Sequence, residues 1–279
     1  MDGTLGQTDS RAVLRPQRAW GAALVSAERR DGAIRLAQLR QEGSLKVLLP
    51  RVRAGEAVEA VLLNTAGGLT GGDRLRTEAK AGPGGHLIVS TQAAERVYRS
   101  PGGLAEVAAT LAVAPGGRLD WLPQETILYD GAALDRRLKL DLAPGGRALL
   151  VEPVILGRRA MGETVRQAIL RDRWEVWQDG RLLFADRLRI EGEAWGALES
   201  PGTLGGAGAW ASLLLLSPEA SSLLGPLRRL LPASAGASVV REGVLFARVL
   251  AEDGFWLRQA LVPAVELLAG GPLPKVWRL

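Results

Sequence analysis

The sequence contains no cysteine, which excludes disulfide frameworks, thiolate nucleophiles and every cysteine-held zinc or iron–sulfur site together. Histidine occurs once, at His86, and this excludes a multi-histidine metal centre. A metal ion that meets this chain must do so through carboxylate or backbone oxygen, with one imidazole at most. Lysine is scarce, confined to Lys46, Lys80, Lys139 and Lys275, so the positive charge is carried by arginine. The most apolar run, Trp210 to Leu216, is far too short to span a bilayer. Met1-Asp2-Gly3-Thr4 shows neither a basic nor an apolar leader region. These absences predict a soluble, cytoplasmic protein with no membrane partner.

The 279 residues are 47% hydrophobic and 23% charged, enough apolar material for a sizeable core and far from the composition of a disordered chain. No linker-like segment interrupts them, so the expectation is a single domain over residues 1–279, with about residues 1–18 flexible. The net charge of +5 and a pI near 10.2 could suit a nucleic acid. The arginines, however, alternate with acids, as in Arg187, Arg189, Glu191 and Glu193, and form no long basic run. No nucleic-acid partner is expected.

Glycine and proline are abundant, at 35 and 15 residues, and three of their clusters repeat. Gly82-Pro83-Gly84-Gly85, Ala114-Pro115-Gly116-Gly117 and Ala143-Pro144-Gly145-Gly146 each sit between short apolar stretches. Proline presets the first corner of a turn and glycine supplies positive φ at the second, so each unit reads as strand–turn–strand. The flanking strands are expected at His86–Thr91, Val107–Val113, Leu119–Leu122, Leu138–Leu142 and Ala148–Val154. A strand repeat of roughly 30 residues is the mark of stacked β layers, a solenoid or a propeller. The fold class is therefore mainly β, a β-helix-like stack of short strands, with two or three helices in the C-terminal half. Trp174 to Gln178 and the Asp179-Gly180 turn predict a hairpin. One helix should open with Ser217 as N-cap, Pro218 at its first position and Leu223 to Leu231 as its body. Another should run from Trp256 to Ala269, burying Leu257, Leu261, Val265 and Leu268 and stopping at Gly270.

The densest motif is Gly67-Gly68-Leu69-Thr70-Gly71-Gly72-Asp73. It lacks the lysine and the spacing of a phosphate cradle, so its glycines read as paired turns. Asp73, held among them, could line a polar path or cap a turn. His86 occupies the place taken by Arg118 and Arg147 in the other two repeats, which reads as a surface position at a strand start. Thr91, Gln92, Tyr98 and Arg99 form a polar and aromatic stretch with no complete nucleophile–base pair. Glu125 and Asp130 flank an extended segment, and Glu163 follows Gly162 after an apolar strand. The eight tryptophans show no regular spacing and read as core or interface packing.

Taken in order, these stretches resemble the family of the urease accessory protein UreD, also called UreH. The matching pieces are Gly67 to Asp73, Thr91-Gln92 with Tyr98-Arg99, Leu122-Pro123-Gln124-Glu125-Thr126-Ile127, Gly157-Arg158 through Gly162-Glu163, and the closing Pro274-Lys275-Val276-Trp277-Arg278. They cover the chain from about Trp20 to Leu279. The resemblance implies a non-enzymatic maturation chaperone that binds the urease apoprotein and works with UreF and UreG in nickel insertion. It implies no permanently bound cofactor, Ni²⁺ in transit through an internal polar tunnel, and a hetero-oligomer such as a dimer of UreD–UreF pairs. By position it assigns Asp73 and Glu163 to the nickel path and Thr91, Gln92 and Tyr98 to the tunnel or an interface; it gives Glu125 and Asp130 no metal role. The rival from the residues alone is a β-helix carbohydrate-active enzyme that uses Asp73, Glu125, Asp130 or Glu163 as paired carboxylates.

Overall fold

Each Pro-Gly-Gly unit carries the chain out of one β-sheet and into a second. The computed structural model describes residues 17–51, 56–158, 161–192 and 194–278; the segment expected to be flexible lies outside these apart from its last two residues. Strand β5 (Arg74–Ala81) ends in the first turn and β6 (His86–Thr91) leaves it. Likewise β8 (Ala105–Val113) passes to β9 (Arg118–Leu122), and β11 (Ala132–Leu142) to β12 (Arg147–Leu156). The incoming strands pair in parallel, β5 with β8 and β8 with β11, and β11 pairs in parallel with β13 (Ala168–Gln178). The outgoing strands β6, β9 and β12 pair in parallel too, joined by β4 (Val58–Asn64). The result is a two-sheet solenoid, as the repeat predicts.

The turns stack as the coils do. Gly85, Gly117 and Gly146 each donate their N–H back across the turn at 2.9 Å, and Gly84, Gly116 and Gly145 sit at φ 59°, 67° and 75°. Ala114 N–H reaches the Ala81 carbonyl and Arg118 N–H the Gly85 carbonyl, both at 2.8 Å, so one turn is hydrogen-bonded to the next. A Cβ on Gly116 would meet nothing closer than 3.9 Å, which leaves the left-handed backbone as the only penalty. Gly116→Ala is therefore expected to cost about 1–2 kcal/mol, measured as a lower urea midpoint with an unchanged slope.

Two hairpins complete the first sheet: β1 (Trp20–Arg30) with β2 (Ala33–Gly43), and β13 with β14 (Arg181–Ile190), the latter turning at Asp179 and Gly180, both with positive φ. The second sheet gains β3 (Leu45–Leu48) at one edge. At the other it continues antiparallel through β15 (Ala209–Leu216), β17 (Val244–Ala251) and β16 (Ala235–Arg241). Short strands β7 (Glu95–Val97) and β10 (Thr126–Leu128) lie in the return loops and pair with each other, and β10 pairs with the end of β12.

Among the described residues, besides the short α1 (Ala194–Leu198) and a 3-10 turn at Lys275–Trp277, two α-helices are present: α2 (Ala220–Leu230) and α3 (Gly254–Ala269). Helix α3 buries the four expected residues and Ala264, and it ends at Gly270 with φ 68°. Helix α2 starts later than expected. Ser217 N–H is still tied to the Gly243 carbonyl of the neighbouring hairpin, so Ser217 and Pro218 lie before the helix and Glu219 takes the N-cap place. One apolar core fills the space between the sheets, with Leu87, Leu119, Leu140, Leu150 and Trp174 fully buried. A second core, with Leu213, Leu245, Leu261 and Trp277, lies where α2 and α3 cover the outer face of the second sheet.

Candidate functional site

The Gly67–Asp73, Thr91–Arg99 and Leu122–Ile127 stretches and Glu163 fall at one end of this solenoid. The Pro-Gly-Gly turns occupy the other end, while the return loops, residues 65–73, 92–104, 123–131 and 157–167, carry the chain back to the first sheet. Close approach explains Gly68 and Gly71 of the first loop, and positive φ explains Gly67 and Gly72. A Cβ on Gly71 would lie 2.0 Å from Ser100 Oγ and 2.3 Å from the Gly102 carbonyl.

Asp73 is buried, and both of its carboxylate oxygens are engaged: Oδ1 accepts Ala19 N–H at 2.7 Å and Oδ2 accepts Thr70 N–H at 2.8 Å. Of the two uses open to it, the geometry is that of a turn cap. Glu163 accepts from Arg158 N–H at 3.1 Å, Arg158 Nε at 2.9 Å and Asp130 N–H at 3.3 Å. Desolvation pushes its pKa up, but the Arg158 guanidinium and the two amides outweigh it and hold the carboxyl below its ordinary value. A chain of contacts joins the two acids. Thr70 Oγ1 donates to the Arg99 carbonyl, the Arg99 guanidinium pairs with Asp130, and Asp130 N–H donates to Glu163. Around this chain Tyr98 stacks edge-on against Tyr129 at 5.1 Å, and Arg158 lies over the Tyr129 ring at 4.7 Å. Tyr98 remains exposed, as does Gln92.

The acids of the rival enzyme reading are all engaged in hydrogen bonds or ion pairs. Besides Asp73 and Glu163, Asp130 accepts Arg166 and Gln167 amides and pairs with Arg99. Glu125 pairs with Arg258 at 2.9 Å. Arg258 also donates to Gln124 and to the Trp277 carbonyl, while Trp277 Nε1 donates to the Leu122 carbonyl at 2.9 Å. Two of the sequence stretches, Leu122 to Ile127 and Pro274 to Arg278, are thus held together by one arginine of α3. His86, expected at the surface, does pair in register with Arg118, but it is half-buried and its Nε2 lies 2.8 Å from the buried Asp120.

Behind the loops, between the two sheets, lies a cavity of about 240 Å³. Apolar walls come from Leu45, Leu69 and Trp121; polar groups enter from Asn64, Thr91, Glu95, Thr126, Arg136 and Glu152. Of the five residues expected to line a path or interface, only Thr91 borders this cavity, and its Oγ1 accepts Gln124 N–H at 2.9 Å. Glu95 accepts from Asn64 Nδ2 at 3.2 Å to each oxygen. Desolvation dominates its surroundings, and its pKa is pushed up to about 7.

At the far wall Arg136 crosses between the sheets. Its Nε donates to Asp172 Oδ1 at 3.1 Å and its Nη2 to Oδ2 at 2.5 Å, within the paired register of β11 and β13. Its Nη1 meets Glu152 of the second sheet and Thr126 Oγ1, and Trp121 Nε1 donates to Glu152 at 2.8 Å. Burial pushes the Glu152 pKa up, against the pull of Arg136. Burial would lower that of Arg136, but its two carboxylates hold it above its ordinary value. From Glu152 a polar row continues across the second sheet through Ser212 to Arg248, which pairs with Asp186 of β14. Among the described residues no three His, Asp or Glu side chains gather as a tight metal cage.

Sequence reasoning missed Glu95, Arg136, Glu152 and Asp172. The signal was available in period-2 alternation: Leu134, Arg136, Leu138 and Leu140 share one face, as do Leu170, Asp172, Trp174 and Val176. A charged residue at an inward position of such a strand is buried among them.

The model of the family described as UreD urease accessory protein matches residues 19–278. Among curated proteins, the urease accessory protein UreD of Chelativorans sp. (strain BNC1) is 47% identical over 266 residues, 94% of this chain and 95% of that protein. That of Agrobacterium fabrum is 45% identical over 278 residues, covering 99% and 97%. That of Ruegeria pomeroyi is 49% identical over 246 residues, covering 88% and 95%.

Proposed function

Since this chain belongs to the UreD urease accessory protein family, we propose that it is a cytoplasmic scaffold for urease maturation that binds the urease apoprotein and, with UreF and UreG, supports nickel insertion. Its relatives are named as accessory proteins, not as enzymes. It holds no resident cofactor, and Ni²⁺ is its transient cargo. The observation that carries this reading is the apolar-walled cavity between the sheets into which polar groups project, with Glu95 and Thr91 at the loop end and the row from Glu152 to Asp186 beyond it. Oxygen donors hold Ni²⁺ more loosely than imidazole or thiolate does, and dispersed carboxylates favour transit over storage. On this reading Glu95 meets the ion, while Asp73 and Glu163 shape the loops at the mouth and Gln92 and Tyr98 lie on the surface a partner would touch. The working assembly is a hetero-oligomer in which UreD–UreF pairs associate.

Co-expression with the urease subunits, UreF and UreG tests the reading. The chain should co-purify with the apoprotein and UreF, and its omission should leave urease without nickel by elemental analysis. Glu95→Ala should lower nickel content severalfold while the complex still co-purifies. Unchanged nickel loading in that variant would take Glu95 off the path; failure to co-purify with either partner would remove the scaffold role.

A further inference from the structure

Among the described residues, one face of the first sheet lies in the core and the other is bare. The two long helices both pack on the second sheet. On the bare face, strand register places Arg76 of β5, Ala108 of β8, Arg137 of β11, Arg173 of β13 and Arg187 of β14 side by side. The parallel row nearer the return loops begins with Trp20 and Arg74 and ends with Arg171 and Arg189, with Glu106 and Asp135 between.

The carboxylates on this face are too few. Asp135 is shared by Arg137 and Arg173, and Glu191 by Arg171 and Arg189. Arg74 has Glu106 at 3.5 Å and Arg187 has Glu175 at 3.6 Å. Arg76 has no hydrogen bond or ion pair among the described residues and is exposed. Three positive charges are left over on one flat strip. Like charges opposite one another on neighbouring strands oppose sheet formation, so folding by itself gives no reason for the row. At its edge Trp20 is 47% exposed, an aromatic beside arginines, the pairing enriched where interfaces are strongest.

We propose that this face docks an acidic surface of a partner protein; resting on the function proposed above, that partner is the urease apoprotein. Guanidinium forks take carboxylates in bidentate fashion. Arg137, Arg173 and Arg187 stand on neighbouring strands, about 4.8 Å apart, close to the spacing of carboxylates three or four residues apart on a helix, about 5–6 Å; Arg76 lies one strand further, beyond Ala108. A nucleic acid fits less well, because Glu106, Asp135 and Glu175 interleave the arginines, a mixed pattern that a protein surface bearing both signs can match and a uniform run of phosphates cannot.

The test is binding of the purified chain to purified urease apoprotein at about 50 and about 500 mM NaCl. Affinity should fall at least tenfold at the higher salt. Arg76→Glu with Arg187→Glu, two exposed positions that leave Asp135 untouched, should weaken binding at least tenfold at low salt with an unchanged melting temperature. Arg76→Lys with Arg187→Lys should keep most of it. Equal affinity of the charge-reversed variant overturns the docking surface and leaves the functional reading standing. No binding of the parent chain to the apoprotein overturns the functional reading itself. Tighter binding to a single-stranded RNA probe than to the apoprotein overturns the choice of a protein partner.

Discussion

Arg136→Met is expected to lower the unfolding free energy by about 3–5 kcal/mol, the cost of leaving two buried carboxylates without their cation. Among the described residues, Arg136 is the only group that reaches both Asp172 of the first sheet and Glu152 of the second. Without it, Glu152 keeps Trp121 Nε1 as a donor and Asp172 loses both guanidinium bonds. Burial already pushes the Glu152 pKa up; without Arg136 this acid would keep its proton to higher pH, and unfolding would become easier as pH rises. The triple variant Arg136→Met, Glu152→Gln, Asp172→Asn removes all three charges and is expected to recover to within about 1–2 kcal/mol of the parent. Urea unfolding followed by tryptophan fluorescence distinguishes these outcomes. A single variant as stable as the parent would mean that water, not Arg136, compensates the two acids.

Glu95 gives the second large effect, and its sign is opposite. An ordinary glutamate titrates near 4.5, and this one titrates near 7 because burial disfavours its charge. The folded state therefore holds the proton that the unfolded state has released between these values. Below about pH 4.5 both states are neutral at this site and the group costs nothing. Between about pH 4.5 and 7 the unfolded chain is ionised here while the folded one keeps its proton or buries a charge, so stability falls by about 3 kcal/mol across that window and is level above it. Glu95→Gln removes that loss, and Gln can still accept from Asn64. The variant should match the parent near pH 4.5 and exceed it by that amount at pH 8, measured as the difference in urea midpoints. A difference that does not change with pH would place Glu95 in water. The residue proposed to meet Ni²⁺ thus weakens the protein at the pH at which it would work, a common cost at functional sites.

The solenoid was legible because its cause is local. A Pro-Gly-Gly turn is specified by four residues, and three in succession fix where strands end and where sheets change. Helix α3 was legible for the same reason, with its apolar face and the stop at Gly270 written into adjacent residues. The start of α2 was not, because the bond from Ser217 N–H to Gly243 comes from a strand hairpin that follows the helix. The site was legible only in part. The glycine-rich loop and Glu163 stood out by composition, yet their carboxylates hold the loops in shape. The cavity groups sit in ordinary-looking strands and become visible only when β11, β12 and β13 are laid in register. His86 shows the same limit: its alignment with Arg118 was readable, but its buried neighbour Asp120 was not.

The stacked turns also bear on how this chain could change in length. Pro83 and Pro115 are 32 residues apart and Pro115 and Pro144 only 29, yet all three turns lie in register. The first coil's return loop spans residues 92–104 and the second's only 123–131, so the slack is taken up there. Small insertions and deletions should therefore accumulate in the return loops and be purged from the turns. A whole coil of about thirty residues could be duplicated by extending both ladders, because each coil contacts mainly its neighbours. The return-loop end would vary in length among relatives while the turn end stayed constant.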